Sequence, residues 1–409
     1  MAPHLCQPLR FYFPVWKGDA WSRWLLRLGI HAYDLLCGGR NLGGSALYSR
    51  HGIMSQVPGI RGEDLTGGVS YFDALTNDAR LVMDNLRSAE SAGAALYNYA
   101  RLVGAEPKGK SWRCKIRDEE ADQTVDIHAA IVVNATGAWA HRFPHSSIRL
   151  RLTKGVHVVI DRARIHVNGA VVLPQGKRIL FVIPWGERLI LGTTDDDYAG
   201  DPAAVRTDPG DVRYILGVVN GAFPGACLGK EDLISSWAGV RPLIAPRQVK
   251  VGTPSDVSRS HEIQMPKRGW IDVAGGKLTT YRLMAQQVVD RIGEQFGKPL
   301  AACRTANVPL VDETATPLYS GILPPAFEPE VVAHCCRYEW VKHLDDLLLR
   351  RTSWHYYHPD HLEVASQASH WMARELGWNQ SRRQLELRRH QFSADGSLDS
   401  ALSQLGGDS

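Results

Sequence analysis

A mixed α/β body followed by a small helical domain is the fold class that the sequence predicts. Three observations predict it. Apolar β-branched runs recur at Val156–Ile160, Val171–Leu173, Ile179–Ile183 and Leu189–Leu191. Helical periods interleave with strand runs on either side of them. Beyond the proline-dotted stretch Pro309–Pro329, which reads as a linker, the pattern turns wholly helical. The 409 residues leave room for two or three domains at roughly 100–200 residues each. A 44% hydrophobic and 22% charged composition supports a sizeable core. With 47 basic and 43 acidic residues the formal charge is only +4, which excludes a basic nucleic-acid arm and an acidic disordered tail.

The elements follow in chain order. Met1–Leu5 lacks the basic and apolar regions of a signal peptide, and no apolar run is long enough to span a bilayer. Trp16–Leu36 carries Trp21, Trp24, Leu25, Leu28, Ala32, Leu35 and Leu36 at helical spacing, with Lys17, Arg23, Arg27 and His31 mostly off that stripe. This is the pattern of a helix lying in a membrane interface, and equally of an amphipathic helix packed on its own core. Gly38-Gly39 and Gly43-Gly44 mark a loop. Asp78–Asn98 reads as a helix, and 111–118 and 123–133 as strands joined by the turn Asp118–Asp122. Trp185-Gly186-Glu187 reads as a hairpin loop. After strand Ile271–Ala274, Gly275-Gly276-Lys277-Leu278-Thr279-Thr280 opens a helix that ends at Gly297. Helices are then expected over Val331–Arg351, Leu362–Leu376 and Gln384–His390, and Ser393–Ser409 is expected to fray.

Cysteine and histidine usage excludes several classes. The seven cysteines are scattered and odd in number, without C-x-x-C, so neither a disulfide framework nor a zinc ribbon is expected and a reducing compartment is. His355, His358 and His361, beside Pro359, read as surface residues, so no metal site is expected. His334-Cys335-Cys336 reads as helix packing.

Two glycine loops stand out. A helix N-terminus leaves unpaired N–H groups and a positive dipole end. Gly275 and Gly276 would let an anionic pyrophosphate or the electron-rich edge of a flavin approach that end, with Lys277 adding a charge; a plain β-turn-α connection is the competing reading. The strand running into Asn134-Ala135-Thr136-Gly137 would let an extended cofactor cross its carboxyl end. No G-x-G tripeptide occurs among the 38 glycines, so the G-x-G-x-x-G dinucleotide fingerprint is not present in these residues.

Together the pieces resemble the flavin-dependent, aerobic-type glycerol-3-phosphate dehydrogenases. The matching stretches are MAPHL at 1–5, DARLV at 78–82, VNATGAW at 133–139, LTKGVHVV at 152–159, ILFVIPW at 179–185, LGTTD at 191–195, WAGVRPL at 237–243, VAGGKLTTYR at 273–282 and LLRRTSW at 348–354. They run in the family order. The resemblance implies an incomplete FAD-binding Rossmann-like domain of the glutathione-reductase/D-amino-acid-oxidase type, a mixed-sheet substrate domain and a C-terminal helical domain. On that pattern residues 1–72 face substrate and membrane, 73–150 and 258–308 belong to the FAD-binding domain, 151–257 to the substrate domain and 309–409 to the helical domain. Family members begin with a strand, a Gly-rich turn and a helix for the adenosine-pyrophosphate half of FAD, then a His-Gly-Gly-Leu-Arg-Tyr type segment. Met1 aligns with an internal methionine of that pattern, so both are expected to be missing, through a late start codon or a real truncation. Unpaired sheet edges, bare helix faces and a colourless, aggregation-prone isolated chain are the expected consequence.

The resemblance also implies a reaction: hydride transfer from glycerol 3-phosphate to FAD, yielding dihydroxyacetone phosphate, with electrons passed to membrane quinone. His157 matches the proton-abstracting position, and Arg241 and Arg259 match arginines that contact substrate phosphate. Lys277 would lie near flavin and substrate, and Gly137, Gly275, Gly276, Leu278 and Thr279 would face the cofactor. The implied location is cytoplasmic, peripheral on the inner membrane through Trp16–Leu36, with a homodimer as one possible assembly. Two alternatives stay open: a non-catalytic remnant or membrane-bound interaction module unable to hold FAD, and an FAD oxidoreductase acting on another substrate.

Overall fold

A computed structural model describes residues 1–19, 23–37, 42–176, 178–245, 260–297, 300–310 and 319–395. Its strands are β1 (Gln7–Trp16), β2 (Ala46–Ser49), β3 (Leu65–Leu75), β4 (Ala100–Lys108), β5 (Ser111–Asp118), β6 (Gln123–Ala129), β7 (Val132–Asn134), β8 (Leu150–Asp161), β9 (Ala170–Gln175), β10 (Arg178–Trp185), β11 (Arg188–Gly192), β12 (Asp196–Asp197), β13 (Leu233–Ile244), β14 (His261–Lys267) and β15 (Trp270–Gly275). Its helices are α1 (Arg23–Cys37), α2 (Arg50–Gln56), α3 (Asp78–Ser91), α4 (Pro209–Ala222), α5 (Tyr281–Phe296), α6 (Pro329–Tyr338), α7 (Trp354–Tyr357), α8 (His361–Leu376) and α9 (Gln380–Asp395).

The main sheet runs β12-β8-β11-β10-β9-β1-β3-β2, and β13 pairs with β8 on its other flank. Side chains alternate between its faces with period two. One face is the core: Val156, Val158, Ile160, Leu180, Val182, Leu189 and Leu191 pack against Ile53 of α2 and Val212, Ile215 and Val219 of α4. Helix α4 starts where it does because Asp208 and Asp211 form a capping box around Pro209. Lys154 Nζ bonds both carboxylates, at 2.5 and 2.7 Å.

The opposite face is split. Around β1 and β9, Phe11, Phe13, Val15, Ala170 and Val172 are covered by Leu26 and Ile30 of α1. Other described side chains of α1 turn outward: Trp24 is 62% exposed, Leu28 69%, Leu35 83% and Leu36 86%. Trp16, the first residue of the Trp16–Leu36 segment, ends β1 instead and is buried, its Nε1 donating to Arg61 O. Trp21 lies outside the described residues. Farther along this face, around β8, β11 and β13, sits the candidate site.

A second sheet, β14-β15-β7, holds the two glycine loops; β15 and β7 are parallel, with Asp272 opposite Asn134. Among the described residues no strand pairs with the other edge of β7. Val133 of β7, Val82 and Leu86 of α3, and Leu283, Val289 and Phe296 of α5 are exposed. Strands β4, β5 and β6 form a separate antiparallel meander.

The C-terminal helices enclose their own core of Val332, Leu344, Leu347, Leu348, Trp354, Ala368 and Met372. The helix expected over Val331–Arg351 is broken after Tyr338, resuming as a π-helical turn at Asp346–Arg351. The cause is Glu339, fully buried, which takes a bidentate bond from Arg80 of α3 at 2.7 and 2.8 Å. Satisfying that carboxylate overrides the helical period and fastens the helical domain to α3. His355 is a further correction: it is buried, its ring 4.8 Å from His361 and 5.2 Å from His390. Among the described residues no group of three metal-ligating side chains has the arrangement of a metal centre.

Candidate functional site

The site is built on the β8–β13 strand pair. His157 of β8 stands opposite Trp237 of β13 and, on its other side, Gly192 of β11. The imidazole stacks on the Trp237 indole, with centroids 5.1 Å apart and planes 21° from parallel. A side chain at Gly192 would collide with the His157 ring and with Val156 O, so the absence of a Cβ there makes room for the imidazole. Burial, aided by the charge of Arg241, lowers the His157 pKa to about 4. The ring is therefore neutral at pH 7. Its Nδ1 is buried with no hydrogen-bond partner among the described residues.

Two glycines continue the same face. Gly155 opposes Gly239, and Thr153 opposes Arg241. The Gly155–Gly239 row, two residues or about 7 Å along the strand from His157 at ~3.3 Å per residue, carries no side chains of its own and leaves a shallow gap. The Arg241 guanidinium lies over Gly155: a Cβ there would be 2.6 and 2.8 Å from its two terminal nitrogens. One nitrogen donates to Asp195 Oδ1 at 3.1 Å and Thr194 O at 3.4 Å, the other to Thr193 Oγ1 at 3.1 Å. Thr194 Oγ1 in turn accepts from Val156 N at 3.0 Å. The arginine is anchored, yet its side chain stays 36% exposed.

The glycine loops lie at the carboxyl ends of β7 and β15. Asn134 Nδ2 ties them together, donating to Ala140 O at 2.9 Å and Asp272 Oδ1 at 2.8 Å. Gly137 has φ +58° with open space around it, so the turn needs its backbone conformation rather than its smallness. Gly275 and Gly276 have φ +72° and +88°, and a Cβ on Gly275 would meet Ser260 O at 2.7 Å and Ile244 Cγ1 at 2.8 Å. That Ile244 contact brings the loop against the end of β13, the strand that carries Arg241. Lys277, Leu278 and Thr279 are exposed at the start of the short helical turn Leu278–Thr280.

Of the residues singled out from sequence, His157 and Arg241 share one face of the main sheet, Gly137 follows β7, and Gly275–Thr279 follow the adjacent parallel strand β15. Arg259 falls outside the described residues. Sequence reading assigned no role to Trp237, Gly192, Gly155 or the Thr193–Asp195 anchor. Their signal was present in the LGTTD, LTKGVHVV and WAGVRPL stretches, but only strand register shows that they meet.

Residues 1–282 match the family model described as FAD dependent oxidoreductase. The chain belongs to that family. Residues 280–383 match a second model, the C-terminal domain of alpha-glycerophosphate oxidase. Glycerol-3-phosphate dehydrogenase 2 of Mycobacterium tuberculosis is 35% identical over 317 residues, covering 76% of this chain and 53% of that protein. Alpha-glycerophosphate oxidase of Enterococcus casseliflavus is 31% identical over 399 residues, covering 81% of this chain and 64% of that one. The chain thus spans about half to two thirds of the length of these curated relatives. The glycerol-3-phosphate dehydrogenase of Bacillus halodurans complexed with FAD superposes with a TM-score of 0.76 at 24% identity, covering 98% of this chain and 84% of that one. The fold is therefore the FAD-binding fold of this family with its mixed sheet and C-terminal helical domain, as the sequence reading expected.

FAD is the family's cofactor, and the residues here fit the flavin end of it. The left-handed Gly275-Gly276 turn leads into a helix start whose first amides lack intrahelical acceptors, beside exposed Lys277. On the main sheet, His157 Nδ1 is a buried polar atom without a hydrogen-bond partner among the described residues.

Proposed function

We propose that this chain oxidises glycerol 3-phosphate to dihydroxyacetone phosphate in the gap between His157 and Arg241, with FAD held along the Gly137 and Gly275–Thr279 loops. The single observation that supports the reading best is that gap: a neutral imidazole at one end, and an anchored guanidinium lying over the paired glycines Gly155 and Gly239 at the other. When bound, FAD supplies the two-electron hydride acceptor. His157 takes the hydroxyl proton of the secondary alcohol, and its lowered pKa keeps it unprotonated and ready. Trp237 fixes the plane of that ring. Arg241 receives the phosphate as a bidentate donor, and Thr193 and Asp195 hold it in place. Lys277 places a cation where negative charge develops on the cofactor side. Arg259 would add a second phosphate contact.

The proposed electron acceptor is membrane quinone, and the proposed location is the cytoplasmic face of the membrane, with α1 as the contact. The outward Trp24, Leu28, Leu35 and Leu36 support this. No helix among the described residues is long and apolar enough to cross a membrane. A second reading, a binding module without redox activity, draws on the unpaired edge of β7. Dye-coupled oxidation with added FAD separates the two. Glycerol 3-phosphate should be turned over and glycerol should not. Arg241→Met should raise KM, and His157→Asn should lower kcat. No turnover by the folded, FAD-supplemented protein would favour the second reading.

A further inference from the structure

Asp272 of β15 is fully buried, and the proposed reaction gives it no part. Its carboxylate takes three hydrogen bonds. Oδ1 accepts from Asn134 Nδ2 at 2.8 Å and from Trp270 Nε1 at 2.8 Å, and Oδ2 accepts from Ser147 N at 3.0 Å. All three donors are neutral, whereas the buried carboxylate of Glu339 is held by Arg80. Burying a carboxylate without a cation is costly. Asparagine would carry no charge, but it has one acceptor oxygen, and its amide would meet a donor on one side or the other. Only a carboxylate accepts from both directions here.

Those directions lead to the two ends of one segment. Asn134 closes β7 and opens the stretch that carries Gly137, and Ser147 lies at the far end of that stretch, just ahead of β8. One side chain thus grips both ends of 134–147 and fixes them to β15, the strand that runs into Gly275. Within the segment, Asn134 Nδ2 also donates to Ala140 O at 2.9 Å, and Thr136 Oγ1 donates to Asn134 Oδ1 at 2.7 Å. Ala140, Ile148 and Ala274 then form a small core against Ile244, at the end of the strand that carries Arg241.

We propose that Asp272 is a positioning residue for FAD: by clamping both ends of 134–147 to β15 it holds the Gly137 and Gly275 loops in one arrangement before the cofactor arrives. A ligand that meets loops already ordered loses no affinity to ordering them. Fully buried, Asp272 offers the cofactor no surface of its own and acts through Asn134 and Ser147. The inference rests on the reading that FAD lies along these two loops, and it does not need glycerol 3-phosphate to be the substrate.

The test titrates the full chain with FAD, without substrate, below the FAD-free melting temperature of every variant. Asp272→Asn keeps the shape but turns an amide toward one of the donors, and Asn134→Ala frees the start of the segment. Each should bind FAD about tenfold more weakly than wild type, near the value of one hydrogen bond to a charged group. The double variant should bind no worse than the weaker single one, because a clamp released at one end no longer holds the other. Backbone hydrogen exchange over 134–147 in the FAD-free protein should quicken in both single variants. Arg80→Met, which loosens the helical domain instead, should melt lower yet bind FAD as wild type does. Full FAD affinity in either single variant, losses that multiply in the double variant, or an equal loss in Arg80→Met would each overturn the proposal; should Asp272→Asn not fold, Asn134→Ala decides alone. Wild type that binds no FAD would overturn the reading of the loops and this proposal with it, whereas equal binding by wild type and variants would overturn this proposal alone.

Discussion

Gly155→Ala isolates the anchoring of Arg241 from the stability of the fold. The new methyl would sit 2.6 and 2.8 Å from the guanidinium nitrogens and 2.7 Å from Thr193 Oγ1, where ordinary contact begins at 3.4 Å. The guanidinium must retreat by about 0.8 Å, which stretches its 3.1 Å bonds to Thr193 and Asp195 past hydrogen-bond range. A hydrogen bond to a charged group contributes about 1.5–3 kcal/mol, so a displaced Arg241 should bind a phosphate about 10- to 150-fold more weakly. Stability should barely move. The clashing atoms are the free ends of side chains, and alanine in place of glycine in a strand returns about 0.4–1 kcal/mol. The assay pairs the KM for glycerol 3-phosphate, or its Kd by calorimetry, with a thermal melt. Gly239→Ala is the companion variant: its Cβ meets nothing within 4 Å, so the fold is indifferent and any lost affinity reports a ligand in the gap. An unchanged glycerol 3-phosphate affinity in Gly155→Ala would refute the reasoning.

Three further outcomes are expected. His157 has its pKa lowered by burial and then by Arg241 to about 4, below its unfolded value of 6.5. The acid limb of kcat/KM should therefore fall near pH 4, and Arg241→Met should move it upward. The same shift means that the unfolded state binds the extra proton between those values, so stability should decline as pH falls from 6.5 toward 4. Replacing Leu28, Leu35 and Leu36 with Ser removes three side chains that are 69%, 83% and 86% exposed. At about 1.5–3 kcal/mol for each leucine fully buried, partial immersion predicts a loss of about 3 kcal/mol. Flotation with anionic vesicles should show roughly 100-fold weaker partitioning, and unchanged flotation would remove α1 as the contact. Arg80→Met strands Glu339, whose carboxyl burial would raise but whose bonds from Arg80, with His334 3.6 Å away, hold well below the usual range. Denaturant unfolding should register a loss of about 3–5 kcal/mol, and a change under 1 kcal/mol would show the pair to be dispensable.

The sequence carried the strand-rich middle, the helical end and both glycine loops, because each is a local pattern. Val156–Ile160, Val171–Leu173 and Ile179–Ile183 alternate or run apolar as strands must, and they lie within β8, β9 and β10. It did not carry β1, β3 or α4, whose glycines, prolines and polar residues blur the period. The break at Glu339 was illegible because its cause, Arg80, lies 259 residues away. The burial of His355 depends likewise on His390 from another helix. His157 and Arg241 were found through the stretches that contain them. Trp237, Gly192 and Gly155 were not, since their roles exist only once three strands are in register.

The central claim is that glycerol 3-phosphate delivers electrons to FAD on this chain. Anaerobic addition of glycerol 3-phosphate to the folded protein in excess FAD tests it most directly, read as bleaching of the visible band of oxidised flavin. The account predicts bleaching with glycerol 3-phosphate, none with glycerol, and strong slowing in both His157→Asn and Arg241→Met. FAD that stays oxidised in wild type, or bleaching that is equally fast in both variants, would contradict it.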